Sequence, residues 1–365
     1  MGSNEKEKAR AGIQDVLGKS WLPLASVVGA FSAFVGAALR TGPPPRQTPQ
    51  SAKPAGLPKP PAQPATRYER EYSISAVLGG SGSPHPFRRS LAGIAVGAGD
   101  RIFVLGDGEV RIHQQGGGFV QGWQAAEGAT CLTVGPEGRV YVGAPGRVEI
   151  YDPQGSRAGG FAAGEPDQPA AITAIRTFRK EILVADAAAR FIRRYDAAGK
   201  QLGVVGTKNK TGSFMLPNRW LDFDVDAQGV IRATDTGRHL VTAWTIDGSP
   251  LGAFGRFGMN DPADFAGCCN PVNLAITPDG KIVTGEKMIA RVKVYEPDGK
   301  LIAVMGPEHF DPACVHIYLA VDSKGRILAA DPVRRQVKVF SLVVKAGGRI
   351  PGRPADLKSE EGEHA

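Results

Sequence analysis

The stretch Asn273-Leu-Ala-Ile-Thr-Pro-Asp-Gly-Lys-Ile-Val-Thr-Gly-Glu286, followed by Arg291-Val-Lys-Val-Tyr-Glu-Pro-Asp-Gly-Lys-Leu-Ile302, reads as strand, glycine turn, strand, short loop, strand and hairpin. Apolar residues alternate with period two around the Asp-Gly turns, which is the pattern of antiparallel hairpins with one buried face. The same order returns downstream in Tyr318-Leu-Ala-Val-Asp-Ser-Lys-Gly-Arg-Ile-Leu-Ala-Ala-Asp331 and Gln336-Val-Lys-Val-Phe340.

Working outward, the unit recurs at Leu221–Asp235 with Val241–Gly248, at Ile172–Ile175 and Glu181–Asp186 with Phe191–Gly199, at Leu132–Gly143 with Arg147–Gly155, and at Gly93–Leu105 with Val110–His113. A hairpin unit of about 45 residues cannot bury its apolar faces alone and must stack on its neighbours, so the expected fold is an all-β, six-bladed β-propeller. The blades are numbered from the N-terminus.

The inner strand of the Leu-Ala-Val-Asp type, the second strand ending in Ala-Asp or a near equivalent, and the Arg-Val-x-Val-Tyr third strand resemble the NHL-repeat six-bladed propeller family over Tyr68 to Ser341. That resemblance implies a fold. Propellers of this type include binding platforms, RNA-binding proteins, lyases with histidines around a central metal, and lactonases with a calcium site, so it does not select an activity.

The chain has 365 residues and a formal net charge of +8. Part of that charge lies in the tails, and basic residues such as Arg190, Arg193, Arg194, Arg334 and Arg335 sit near acidic ones, so nucleic acid is not an expected partner. Four cysteines are too few for a disulfide scaffold.

Residues 1–19 form a polar leader of mixed charge, and residues 20–40 are expected to be a single transmembrane anchor, since Trp21 to Leu39 carries no charge. That length crosses roughly 30 Å of hydrocarbon as a helix. A cleaved signal peptide and a buried core helix are the alternatives; the long, partly acidic leader opposes the first. Gly29, Ala33 and Ala37 recur every fourth residue and would let another membrane helix approach closely. Residues 41–66 are proline-rich and expected to be an extended polyproline linker. The propeller is assigned to 67–342 and a disordered tail to 343–365. The expected location is the inner (cytoplasmic) membrane, single-pass, with the propeller on the periplasmic or extracellular side.

Tyr68-Glu-Arg-Glu-Tyr-Ser-Ile-Ser-Ala-Val77 alternates like a strand but belongs to no complete repeat, and the last repeat lacks its fourth strand. The N-terminal strand is therefore predicted to complete the sixth blade and close the ring.

Chemistry-bearing residues concentrate in the loops that lead into inner strands, which a propeller gathers on one face. Cys268, Cys269, Asn270 and Asn273 lie before and at the start of the fifth inner strand; Cys314 and His316 lie before the sixth. A disulfide between Cys314 and one of the vicinal pair, a metal site, and unpaired buried thiols are all open readings of the three cysteines. Cys131 aligns with Asp222, Asn273 and Tyr318 at the inner positions and is expected to pack. Asn218, Arg219 and His239 complete the expected binding face, and the longer loops Thr207–Trp220 and Phe257–Phe265 mix charge with aromatics as protein interfaces do.

No Ser-His-Asp or paired-carboxylate motif stands out. The expected function is a membrane-anchored scaffold or accessory subunit that binds membrane protein subunits, such as those of a respiratory or photosynthetic electron-transfer assembly, without a cofactor. The alternative is a lyase or lactonase-like enzyme with one divalent metal in the central channel, held by Asn273, Asp222 and Asn218 or served by His316.

Overall fold

In a computed structural model, residues 68–206 and 213–343 are described, and they form the propeller. The leader, the anchor Trp21 to Leu39 with its Gly29, Ala33, Ala37 stripe, the proline-rich linker and the C-terminal tail lie outside the described residues, as do residues 207–212. Among the described residues no helix is long and apolar enough to cross a membrane.

Six four-stranded antiparallel sheets make the six expected blades. Blade 1 runs Leu91–Val96, Ile102–Gly106, Glu109–His113 and Phe119–Gln124, from the inner strand to the outer. Blade 2 begins at Cys131–Val134, blade 3 at Ile172–Phe178, blade 4 at Phe223–Val225 and blade 5 at Asn273–Ile276. A two-residue hairpin, Gly164–Glu165 with Gln168–Pro169, precedes blade 3.

Blade 6 takes Tyr318–Val321, Ile327–Asp331 and Gln336–Leu342 from the C-terminal end and Tyr72–Gly79 from the N-terminal end. The register runs from Tyr72 opposite Leu342 to Gly79 opposite Gln336, with one shift between Ile74 and Ala76. The predicted closure is thus observed. Its physical reason is that an open ring would leave two unpaired strand edges.

The buried residues divide into six clusters, each joining two adjacent blades. Ala275, Val283 and Val292 of blade 5 meet Leu319, Ile327 and Phe340 of blade 6, for example. The ring is therefore the folding unit, and no blade carries a core of its own.

Strand direction defines two faces. Lead-in loops and the turns between second and third strands share one rim, here the loop face; the remaining hairpins share the opposite rim. Tyr72 and Leu342 both lie at the hairpin rim, so the chain enters and leaves the ring there.

Leu78 on the closing strand is buried against blade 1, whereas Ile74 is exposed. Leu78→Ala is expected to cost about 2–4 kcal/mol in urea unfolding, and Ile74→Ala less than about 0.5 kcal/mol.

Candidate functional site

The loop face is built by a repeated device. The second strand of most blades ends in a carboxylate aimed at the backbone of that blade's lead-in loop. Asp107 accepts from the amides of Arg88 (2.7 Å), Arg89 (2.6 Å) and Ser90 (2.9 Å). Asp235 accepts from Met215 N at 2.9 Å and Asp331 from Asp311 N at 2.8 Å. Burial by itself raises the Asp107 pKa, but those amides and Arg111 more than offset it and hold the carboxyl below its ordinary value.

In blade 5 the device is larger. Glu286 and Lys293 are both fully buried and ion-paired, and Arg291 Nε donates to Glu286 at 2.9 Å. Lys293 Nζ also donates to the carbonyls of Pro262 (3.1 Å) and Asp264 (2.9 Å), and Tyr295 Oη to that of Ala263 (2.9 Å). Burial pushes the Lys293 ammonium down to about 8. The second half of the lead-in loop is thereby fixed, while Phe257 and Met259 at its start stand 59% and 57% exposed.

The central channel holds a small cleft of about 20 Å³ lined by Gly93, Cys131, Thr173, Arg176, Asp222, Asn273 and Tyr318 among others. The four inner positions aligned from the repeats do come together there. Arg176 of blade 3 pairs with Asp222 (3.5 Å) and Asp224 (3.0 Å) of blade 4. Asp222 in turn accepts from Asn273 Nδ2 (3.0 Å) and Leu274 N (3.1 Å) of blade 5, and Asp224 from Ile276 N (2.9 Å). Burial raises the Asp222 carboxyl against the opposing pull of Arg176, and burial drives the Cys131 thiol up to about 12.

Both oxygens of Asp222 already face donors and its neighbour is a guanidinium, whereas Asn273 Oδ1 is buried without a protein partner. Asn218 Oδ1 accepts from Thr236 Oγ1 at 2.8 Å. Among the described residues no three His, Cys, Asp or Glu side chains converge as a ligand group.

At the channel, Trp220 from the lead-in loop of blade 4 packs against His316 from that of blade 6, ring centres 4.0 Å apart and planes tilted by 38°, with Tyr318 6.0 Å from Trp220 and stacked on His316 at 5.9 Å. Trp220 Nε1 and His316 Nδ1 are buried without a protein partner. Burial first, and then Lys287, depress the His316 imidazole to about 4. It is therefore a neutral ring in an aromatic cluster. His239 packs edge-on against Phe257 at 5.2 Å, and burial lowers its pKa. Arg219 is exposed at the turn beside Trp220, in the left-handed region at φ 52°.

The staple between Cys314 and the vicinal pair is not formed. All four cysteines are free, and Cys314 Sγ is buried, donating to His316 O at 2.7 Å within its own loop. The close sulfur contact is between Cys268 and Cys269, at 2.9 Å. Arg176, Trp220 and Met288 are site residues that the repeat pattern did not single out; a basic residue on the channel-lining strand Ile172–Phe178 was the available signal for Arg176.

These features define the class: a six-bladed β-propeller with interblade ion pairs along its channel and an aromatic, sulfur-containing loop face. No family model matches the chain. Among solved structures it is similar to a streptogramin B lyase (10% identity, 75% of this chain and 98% of that one, TM-score 0.53). It is also similar to a catalytically inactive virginiamycin B lyase from Staphylococcus aureus with quinupristin (13%, 75% and 100%, 0.52) and to the WD40 propeller domain of Doa1 (15%, 69% and 78%, 0.50). At such identities the likeness concerns the fold.

His316 gives a pH signature. The unfolded chain takes up its proton near 6.5 and the folded chain only near about 4, so the unfolded state gains protons first as pH falls. Stability is expected to drop by on the order of 2 kcal/mol between pH 7 and pH 4 on this account. Denaturant midpoints of His316→Gln should show a correspondingly flatter acid limb.

Proposed function

We propose that the propeller is a protein-docking platform of the NHL-repeat type, acting as an accessory subunit of a membrane assembly, with the loops of blades 4 to 6 as the docking face. The observation that carries this reading is the set of apolar side chains exposed on that rim: Met215, Phe257, Met259, Met288 and Val315. They belong to lead-in loops and second-to-third turns of three consecutive blades. Phe257 touches His239, and the Met288 thioether accepts from Cys268 N at 3.4 Å, so the members are bridged by the site residues already described.

Methionine and aromatic side chains backed by a rigid scaffold are the usual anchors of a protein interface. Tyr72 and Leu342, the two ends of the closing strand pair, lie at the opposite rim. A membrane anchor at Trp21 to Leu39 would hold the platform to the bilayer, its small-residue stripe facing a helix of the partner, on the periplasmic or extracellular side. The channel favours this reading over catalysis, because its charged groups are consumed by interblade contacts.

Gentle detergent extraction from native membranes, followed by size separation and mass spectrometry, tests it. Membrane subunits are expected to co-migrate in stoichiometric amount. Phe257→Asp combined with Met288→Asp should weaken their retention about tenfold or more while leaving the melting temperature of the isolated chain unchanged. A chain that always runs alone would sink the scaffold reading; retention unaffected by the double substitution would move the docking face elsewhere.

A further inference from the structure

Adjacent residues in an extended chain point their side chains to opposite sides. Cys268 and Cys269 do not. Cys269 adopts φ 63°, a left-handed conformation uncommon for a residue with a β-carbon, and this swings its side chain round until the two sulfurs stand 2.9 Å apart.

The loop is held in that shape from both sides. Asn270, fully buried, donates from Nδ2 to the carbonyls of Ala266 (2.5 Å) and Lys287 (3.0 Å), and its Oδ1 accepts from Lys287 N (3.0 Å). The Met288 thioether receives the Cys268 amide on the other side. Cys268 is exposed and Cys269 buried, so an outer and an inner sulfur are presented in contact.

We propose that Cys268 and Cys269 form a vicinal dithiol site that reduces low-molecular-weight organic disulfides and closes reversibly to a disulfide within the loop. The exposed Cys268, as its thiolate, attacks one sulfur of the small disulfide; that S–S bond breaks and one thiolate leaves with the electron pair. The thiol of Cys269 then loses its proton to solvent, and its sulfur attacks Cys268 Sγ, expelling the second thiolate. Two protein thiols are oxidised, one small disulfide is reduced to two thiols, and the protons balance.

Closure needs the sulfurs to approach from 2.9 Å to a bond length of about 2.05 Å. Burial and the contact with Cys268 raise the pKa of the Cys269 thiol, so the second step should quicken as pH rises. Adjacent α-carbons are about 3.8 Å apart, shorter than the roughly 4.4–6.8 Å usual for a disulfide, so the ring is strained and should reopen readily with excess thiol. The other two cysteines do not compete: Cys131 and Cys314 are buried, with thiols raised to about 12.

The site stands whether or not the loop face binds a protein. Its test uses the reduced full-length chain and oxidised glutathione, with thiols counted after denaturation and the intact mass recorded. The expected result is a fall from four thiols to two, a mass lower by two hydrogens, no retained glutathione, and full reversal by dithiothreitol. Cys269→Ser should instead retain one glutathione on Cys268, and Cys268→Ser none. A wild-type chain that keeps a glutathione adduct, that loses no thiols, or whose lost thiols map to a bridge involving Cys314 would overturn the proposal.

Discussion

The carboxylate that ends the second strand of a blade is the contact on which the loop face depends. Strand pairing and the interblade clusters fix the walls of the ring, but they say nothing about where a lead-in loop should lie. Asp107, Asp186, Asp235, Glu286 and Asp331 answer that by accepting, directly or through a basic partner, from the loop that enters the same blade. Blade 2 ends in Ala144 instead, and there Arg147 Nη2 reaches the carbonyl of Glu127 at 2.9 Å. A hydrogen bond to a charged group contributes about 1.5–3 kcal/mol, and losing the carboxylate would strand buried amides as well. Loop position is thus coupled to blade integrity.

The same economy of charge explains the channel. A row of inner positions carrying Cys131, Asp222, Asn273 and Tyr318 has the composition of a binding site, and in isolation each residue invites a ligand. Arg176 changes that. By lying across the blade 3 to blade 4 boundary it ties Asp222 and Asp224 to one cation, and their remaining lone pairs accept from blade 5. A buried charge without a partner would cost several kcal/mol, so groups already matched in this way are poor candidates for releasing a neighbour to bind substrate.

How much of this was legible in the sequence follows from the range of each interaction. Period-two alternation and glycine turns are local, so the six blades could be read from residues such as Leu274, Ile276 and Ile282 without knowing their partners. Closure by the N-terminal strand was legible too, because an orphan strand at one end and a three-stranded blade at the other leave a single consistent pairing. The loop face was legible only as a location. That His316 meets Trp220 rather than a cysteine depends on two loops separated by a whole blade, and no spacing rule encodes it. The three open readings of the cysteines could not be separated for a related reason: repeat alignment places equivalent loops on one rim but does not resolve which side of the loop a side chain takes. Cys314 turns inward to His316 O, and Cys269 turns toward its own neighbour.

What distinguishes the two chemistries left on the loop face is how far folding has already used them. The acids, Lys293, Asn270 and Asn273 are engaged in contacts that hold loops and blades, so altering any of them perturbs the scaffold before it perturbs a function. Phe257, Met259 and Met288 protrude from segments fixed by those contacts, and burying them against another surface would gain about 25 cal/mol per Å² without disturbing the ring. The Cys268 and Cys269 sulfurs are likewise unspent, since their loop is positioned by Asn270 and their own contact satisfies no other group. A face whose frame is over-determined and whose tips are not committed is suited to recognition, and it confines reactivity to the one place where two soft nucleophiles already touch.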